Sequence, residues 1–151
     1  WGVDLNRVYL LGFSNGGFFA VHAAMLLRDH IAAFAAMGSG LVTCDNTRSC
    51  SFGASGRNCS AIRSEAPSSC TSCNGIEKPT TIPSSGRLVP GFLAHNNNDD
   101  VVSVYYTCTL AARMQELGYD TEVFIGDEWG HGYPSGSIPG IWNFFSTRAL
   151  P

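Results

Sequence analysis

Leu11-Gly12-Phe13-Ser14-Asn15-Gly16-Gly17 places a serine in G-x-S-x-G spacing, directly after the apolar run Val8-Tyr9-Leu10-Leu11. Phe18, Phe19, Val21, Ala24, Met25 and Leu27 follow it with the composition of a helix. A serine on such a strand-to-helix turn is lifted clear of the sheet with its hydroxyl exposed, the context in which this spacing marks a nucleophile. The turn is tight, and Gly12 and Gly16 are expected to supply the lack of bulk on either side of Ser14. A hydroxyl attacks only when a base takes its proton and a third group holds that base. His131, in Gly130-His131-Gly132, follows one strand-like run, and Asp99-Asp100 follows another. Ser14, Asp99 and His131 therefore stand at three strand ends, in the order nucleophile, acid, base. The other histidines are weaker candidates. His22 lies on the helix after Ser14 and reads as a core histidine, and His30 as a helix-end residue; His95 ends a strand where it can line the site, but it precedes the acid and reads more plainly as a strand-cap hydrogen bonder. Asp127 and Glu128, just before His131, read as solvated or supporting carboxylates.

Such side chains need a frame that presents several strand ends on one edge. The chain supplies a strand over 7–11, a helix over 15–28 that is apolar nearly all round, and a continuous apolar strand over 31–37. A strand over 87–94 follows, in which Pro90 implies a bulge or an edge position. A helix begins after Asp99 and Asp100, with Val101, Tyr105, Cys108 and Ala112 on one face and Gly118 at its C-terminal cap. A strand over 120–126 and a helix over 141–150 complete the pattern. Strands alternating with helices make a parallel sheet with right-handed crossovers, and reactive groups of such sheets gather at the carboxyl ends of the strands. Between them, residues 41–86 turn to Ser, Cys, Asn, Thr, Gly and Pro without helical or strand period. A loop of that length inside a compact domain reads as a lid or binding element.

The chain has 151 residues, 44% of them hydrophobic and 14% charged, which fits one globular domain over 1–151. A net charge of −3 leaves no basic stripe for nucleic acid. No apolar run approaches the roughly 18 residues of a membrane span. Trp1-Gly2-Val3-Asp4 reads as the interior of a longer chain or the start of a mature form. Of the six cysteines, Cys44, Cys50, Cys59, Cys70 and Cys73 fall in the long loop and Cys108 in the helix after the acid. An even number crowded into a loop points to disulfides and an oxidising, extracellular location. Zinc fits less well, because Cys70-Thr71-Ser72-Cys73 has no second ligand pair. Five loop cysteines cannot all pair together, so one must reach Cys108. Cys44–Cys108 is the expected tether, since consecutive strands are often neighbours, with Cys50, Cys59, Cys70 and Cys73 paired among themselves. Asn58-Cys59-Ser60 also fits a glycosylation sequon.

Val3-Asp4-x-x-Arg7-Val8-Tyr9-x-x-Gly12-x-Ser14-Asn15-Gly16-Gly17 resembles the nucleophile segment of secreted α/β-hydrolase esterases, the group of feruloyl esterases, acetylxylan esterases and polyhydroxybutyrate depolymerases. His95-x-x-x-Asp99-x-x-Val102 is similar to their acid segment, Gly130-His131-Gly132-Tyr133-Pro134 to their histidine loop, and Trp142-x-Phe144-Phe145 to their closing helix. The resemblance covers both ends of the chain and not the cysteine-rich middle. Two departures stand out: Asn96 occupies a position usually held by glycine, and no segment matches the earlier strands or their His-Gly oxyanion loop. The resemblance implies an α/β-hydrolase-like parallel sheet flanked by helices, restricted to the C-terminal part of the full fold. It implies Ser14 as nucleophile, Asp99 as acid and His131 as base.

The expected activity is hydrolysis of carboxylic esters through an acyl-enzyme, without metal or cofactor. The Asn15 backbone N–H is expected to donate to the oxyanion. Trp129 and Tyr133, flanking the base, are candidates to contact the acyl group or simply to pack the loop. A peptidase or thioesterase on the same frame is the alternative within enzymes, and a non-catalytic module that binds a polymer through the cysteine-rich loop is the alternative outside them. With one oxyanion donor absent and an uncovered first strand, the chain is expected to need a missing half of the fold or a second chain.

Overall fold

The computed structural model describes residues 2–40, 50, 52–71 and 82–151. Four strands, β1 (Tyr9–Phe13), β2 (Ala33–Met37), β3 (Gly91–Asn98) and β4 (Thr121–Trp129), form one parallel sheet in sequential order. Helix α1 (Asn15–Leu26) links the first two strands, and α4 (Val104–Glu116) links the last two. The short helices α2 (Cys59–Glu65) and α3 (Ser68–Thr71) lie between β2 and β3, and α5 (Ser137–Ser146) follows β4.

The two-residue period of β2 explains the layering. Phe34 and Ala36 pack on one face with Val21, Ala24 and Met25 of α1 and Leu110, Ala111 and Met114 of α4. Ala33, Ala35 and Met37 pack on the other face with Ile141, Phe144 and Phe145 of α5. Every β2 residue is buried, as its unbroken apolar run demands of a strand covered on both sides. The sheet is thus sandwiched between helices.

Several boundaries differ from those the sequence suggests. The third strand starts at Gly91, after Pro90, and runs on to Asn98. Proline is compatible because it stands just outside an interior strand, not within an edge strand. The fourth strand continues past Gly126 to Trp129, because a register shift opposite Asn96–Asn98 inserts an extra residue and carries pairing onward. Helix α4 starts at Val104, capped by Ser103 Oγ, which accepts from the Tyr105 N–H. Its buried residues are Val104, Tyr106, Thr107, Cys108, Leu110, Ala111 and Met114, and exposed Val101 precedes the helix and is not part of that face. Gly118 ends the helix at φ +83°, as expected of its cap. Helix α5 starts at Ser137, because Pro139 falls in its first turn, where no N–H is required. Helix α1 is buried on one side only, leaving Phe19, His22 and Leu26 exposed, so His22 is not a core histidine.

The 41–86 segment is not free of helix. Asn58 Oδ1 accepts from the Ser60 and Ala61 N–H groups and starts α2, which is too short to show a period. Ile62 of α2 packs with Val104 and Cys108 of α4. This contact decides the disulfide: Cys108 pairs with Cys59, not Cys44, and Cys50 pairs with Cys70. One loop cysteine does reach Cys108, but from the helix packed on α4. Cys44 and Cys73 lie outside the described residues.

The Cys59–Cys108 bridge closes a separation of 49 residues. Loop-closure entropy for that length predicts a loss of about 4 kcal/mol of stability in a Cys59→Ser, Cys108→Ser double variant. Urea unfolding under non-reducing conditions measures it, and peptide mapping without reduction should recover Cys59 linked to Cys108.

Candidate active site

The turn from β1 to α1 carries Ser14 at φ 54° and ψ −123°, the only positive φ outside glycine among the described residues. A side chain held there stores on the order of 1–3 kcal/mol of strain. The surroundings hold it in place. The Ser14 N–H donates to the Met37 carbonyl at 2.9 Å, and its own carbonyl accepts from the Phe18 N–H at 3.0 Å. A Cβ on Gly12 would lie 2.0 Å from the Gly16 backbone oxygen, so only glycine fits. A Cβ on Gly16 would meet nothing, whereas one on Gly17 would collide with Ser39 and with the Met37 oxygen. The small residues the turn requires are therefore Gly12 and Gly17, not Gly12 and Gly16. Gly12→Ala should cost about 3 kcal/mol or more. Gly16→Ala should stabilise α1 by up to about 1 kcal/mol. Thermal unfolding of the two variants separates the assignments.

Ser14 Oγ lies 2.8 Å from His131 Nε2, and His131 Nδ1 lies 2.8 Å from Asp99 Oδ2. A carboxylate only accepts, so Nδ1 carries the ring hydrogen and Nε2 is left to accept the serine proton. The three side chains form one hydrogen-bonded chain across the carboxyl ends of β1, β3 and β4. Asp99 is 3% exposed. Its Oδ1 accepts from the Val101 and Val102 N–H groups at 2.9 and 2.8 Å. Burial alone would raise its pKa, but hydrogen bonds from His95, His131 and the Val102 and Val101 amides outweigh it and hold the carboxyl below its ordinary value.

That shift has a consequence for acid stability. The folded pKa lies below the unfolded value of about 3.9. The contribution of Asp99 is therefore complete above about pH 4 and lost as the pH falls through the lower folded value. Urea midpoints measured down the acid limb should fall less steeply in Asp99→Asn than in the parent.

Asp100 is exposed and does not open α4, whose cap is Ser103. Asp127 pairs with Arg57, and Glu128 accepts from Ser135, so neither carboxylate is bonded to His131. Phe13 lies against the His131 ring, with centroids 4.8 Å apart, and Tyr133 meets Phe13 edge-on at 6.3 Å. Tyr133 is 54% exposed, and Trp129, at the end of β4, is 84% exposed. Asn15, at the start of α1, is exposed next to Ser14.

Three contributors take their roles only from contacts the sequence does not show. His95 is wholly buried inside β3 rather than capping it, and bonds to Asp99. Asn96 donates from Nδ2 to the Gly132 carbonyl at 3.1 Å and so steadies the histidine loop. Its side chain fits because the residue paired with it across the sheet is Gly126, where a Cβ would lie 2.5 Å from Asn96 Oδ1. Asn96 has no positive φ, so its tolerance of left-handed backbone is not what the position uses. The third is the segment 52–57, which packs on the acid loop. The Ala54 N–H donates to the Asn97 carbonyl, and Ser103 Oγ donates to the Phe52 carbonyl. Among the described residues no group of His, Cys, Asp and Glu is placed to hold a metal ion, and no helix is long and apolar enough to cross a membrane.

A parallel sheet between helices, with a strained serine turn after one strand and acid and histidine loops after later ones, is the α/β-hydrolase fold. Solved structures agree. Esterase PE8 superposes with a TM-score of 0.62 at 19% identity, over 96% of this chain and 52% of that one. SOBER1 of Arabidopsis thaliana gives 0.60 at 14% identity, over 97% and 55%. The acylaminoacyl peptidase of Pyrococcus horikoshii gives 0.64 at 15% identity, over 98% and 25%. The chain spans about half the length of the first two. No protein-family model and no curated protein sequence matches it.

Proposed function

We propose that the chain carries the catalytic centre of a serine esterase that hydrolyses carboxylic esters through an acyl-enzyme. The observation that carries this reading is the unbroken relay that starts on the strained Ser14 turn and runs from Ser14 Oγ through His131 to Asp99. Ser14 Oγ bonds to the ester carbonyl carbon while His131 Nε2 takes the hydroxyl proton. Asp99 stabilises the imidazolium and fixes its tautomer. The Asn15 N–H donates to the oxyanion. The C–O bond to the leaving alcohol then breaks, and the alcohol departs with the proton from His131. Water, deprotonated by His131, releases the acid and regenerates Ser14.

Trp129 and Tyr133 are proposed to receive the acyl group, because they are exposed aromatics two residues either side of His131 in the chain, and the Tyr133 ring meets Phe13, which lies against His131. The segment 41–86 is proposed as a lid of a single domain, with residues 52–57 bonded to Asn97 and Ser103 on either side of Asp99 and Cys59–Cys108 tying it to α4. Feruloyl or acetyl esters of plant polysaccharide, or a polyester, are the proposed substrates. Secretion is proposed from the disulfides. The esterases among the similar folds support the reaction class. The peptidase among them makes amide hydrolysis the competing reading.

Stopped-flow hydrolysis of p-nitrophenyl acetate tests the proposal. A burst of p-nitrophenol stoichiometric with the protein, absent from Ser14→Ala, is the expected result. Cleavage of a peptide p-nitroanilide faster than the ester would favour the peptidase, and a burst that persists in Ser14→Ala would reject both.

A further inference from the structure

We propose that His95 is a positioning residue that holds the acid in line with the base. Its effect on turnover rests on the esterase reading above; the contact itself does not. His95 is fully buried in β3, between Ala94 and Asn96. Its Nε2 lies 2.8 Å from the Val102 carbonyl oxygen and 3.1 Å from Asp99 Oδ2. Both partners only accept, so Nε2 carries a hydrogen and shares it between them. Its Nδ1 lies 2.6 Å from Thr107 Oγ1, on α4. The Thr107 hydroxyl also lies within reach of the Ser39 carbonyl, just past β2, so its single hydrogen is shared between that oxygen and His95 Nδ1. Two residues before Ser39, the Met37 carbonyl takes the Ser14 N–H. The links close a circuit from the serine turn through the end of β2, α4, β3 and the acid to His131 and back to Ser14.

The circuit gives His95 a task that packing does not explain. A polar ring with no exposure costs free energy unless both nitrogens are bonded, and an apolar side chain would fill the same space without that requirement. The amides of Val101 and Val102 tie down Asp99 Oδ1 only. Oδ2, the oxygen that meets His131 Nδ1, has His95 as its second donor. Two donors on one oxygen fix the rotation of the carboxylate, and with it the ring orientation that points His131 Nε2 at Ser14. Misplacement of a catalytic group by as little as 1 Å can cost about 10²-fold in rate.

His95→Leu removes the donor and keeps an apolar side chain in the space. His95→Gln keeps an amide N–H₂ able to donate to Oδ2. Ester turnover is expected to fall about 10–100-fold in kcat for His95→Leu with KM little changed, and His95→Gln is expected to restore most of the loss. Wild-type kcat in His95→Leu, or equal losses in both variants, would overturn the proposal. Should His95→Leu fail to fold, Thr107→Val tests the same circuit: a several-fold lower kcat supports it, and an unchanged kcat overturns it. The second readout needs no substrate. The far-downfield proton resonance of His131 Nδ1–H, observed in histidine-labelled protein, is expected to disappear in His95→Leu and return in His95→Gln. Its persistence in His95→Leu would overturn the proposal even if the parent hydrolysed no ester, so this outcome is separable from failure of the esterase reading.

Discussion

Asp99→Asn is expected to lower kcat for ester hydrolysis by about 10⁴-fold, the scale seen when an acid of this kind is replaced by its amide. The cause is tautomeric. Asp99 Oδ2 accepts from His131 Nδ1. An asparagine amide turned to donate there would force the ring hydrogen onto Nε2, the atom that faces Ser14 Oγ and is proposed to take its proton. Asp100→Asn is expected to leave both rate and stability near the parent's, because Asp100 is exposed, does not cap α4 and makes no bond to His131. Steady-state kinetics of the two variants with p-nitrophenyl acetate provide the comparison. A large loss confined to Asp100→Asn would move the acid to that neighbour.

Ser14 carries the second large effect, and it links rate to stability. Ser14→Ala is expected to abolish acyl-enzyme formation, with a fall in kcat on the order of 10⁶-fold where the background allows it to be read. Its stability should barely change, because alanine keeps the Cβ and hence the strain of φ 54°. Ser14→Gly should be equally inactive and more stable by about 1–3 kcal/mol, since glycine adopts that backbone without penalty. Urea unfolding of the three proteins measures the difference. Identical stabilities for Ser14→Ala and Ser14→Gly would mean that the turn stores no strain.

The topology was legible in the sequence because its signals are long and redundant. Apolar runs alternate with helical stretches, and the residues after three of those runs are Ser14, Asp99 and His131. The structure brings these three within hydrogen-bonding distance because a parallel sheet gathers its strand ends on one edge. What stayed hidden depends on a partner from another element. His95 reads as a strand-end residue until Thr107 of α4 is placed beside it. Asn96 reads as a departure from a glycine until Gly126 is seen across the strand pair. Cysteine parity required a bridge to Cys108, but the choice of Cys59 follows from Ile62 packing α2 on α4. The small residue of the turn fell at Gly17 rather than Gly16 because the crowding comes from Ser39 and Met37, beyond the motif. His22 misled because α1 is apolar in composition yet covered on one side only.

The central claim is that Ser14 is an activated nucleophile. Reaction with a fluorophosphonate, followed by peptide mapping of the adduct, tests it without assuming a substrate. The predicted result is a single adduct on Ser14, absent from Ser14→Ala and formed far more slowly in His131→Ala, with both variants folded. An adduct on another serine, or labelling that persists in Ser14→Ala, would contradict it.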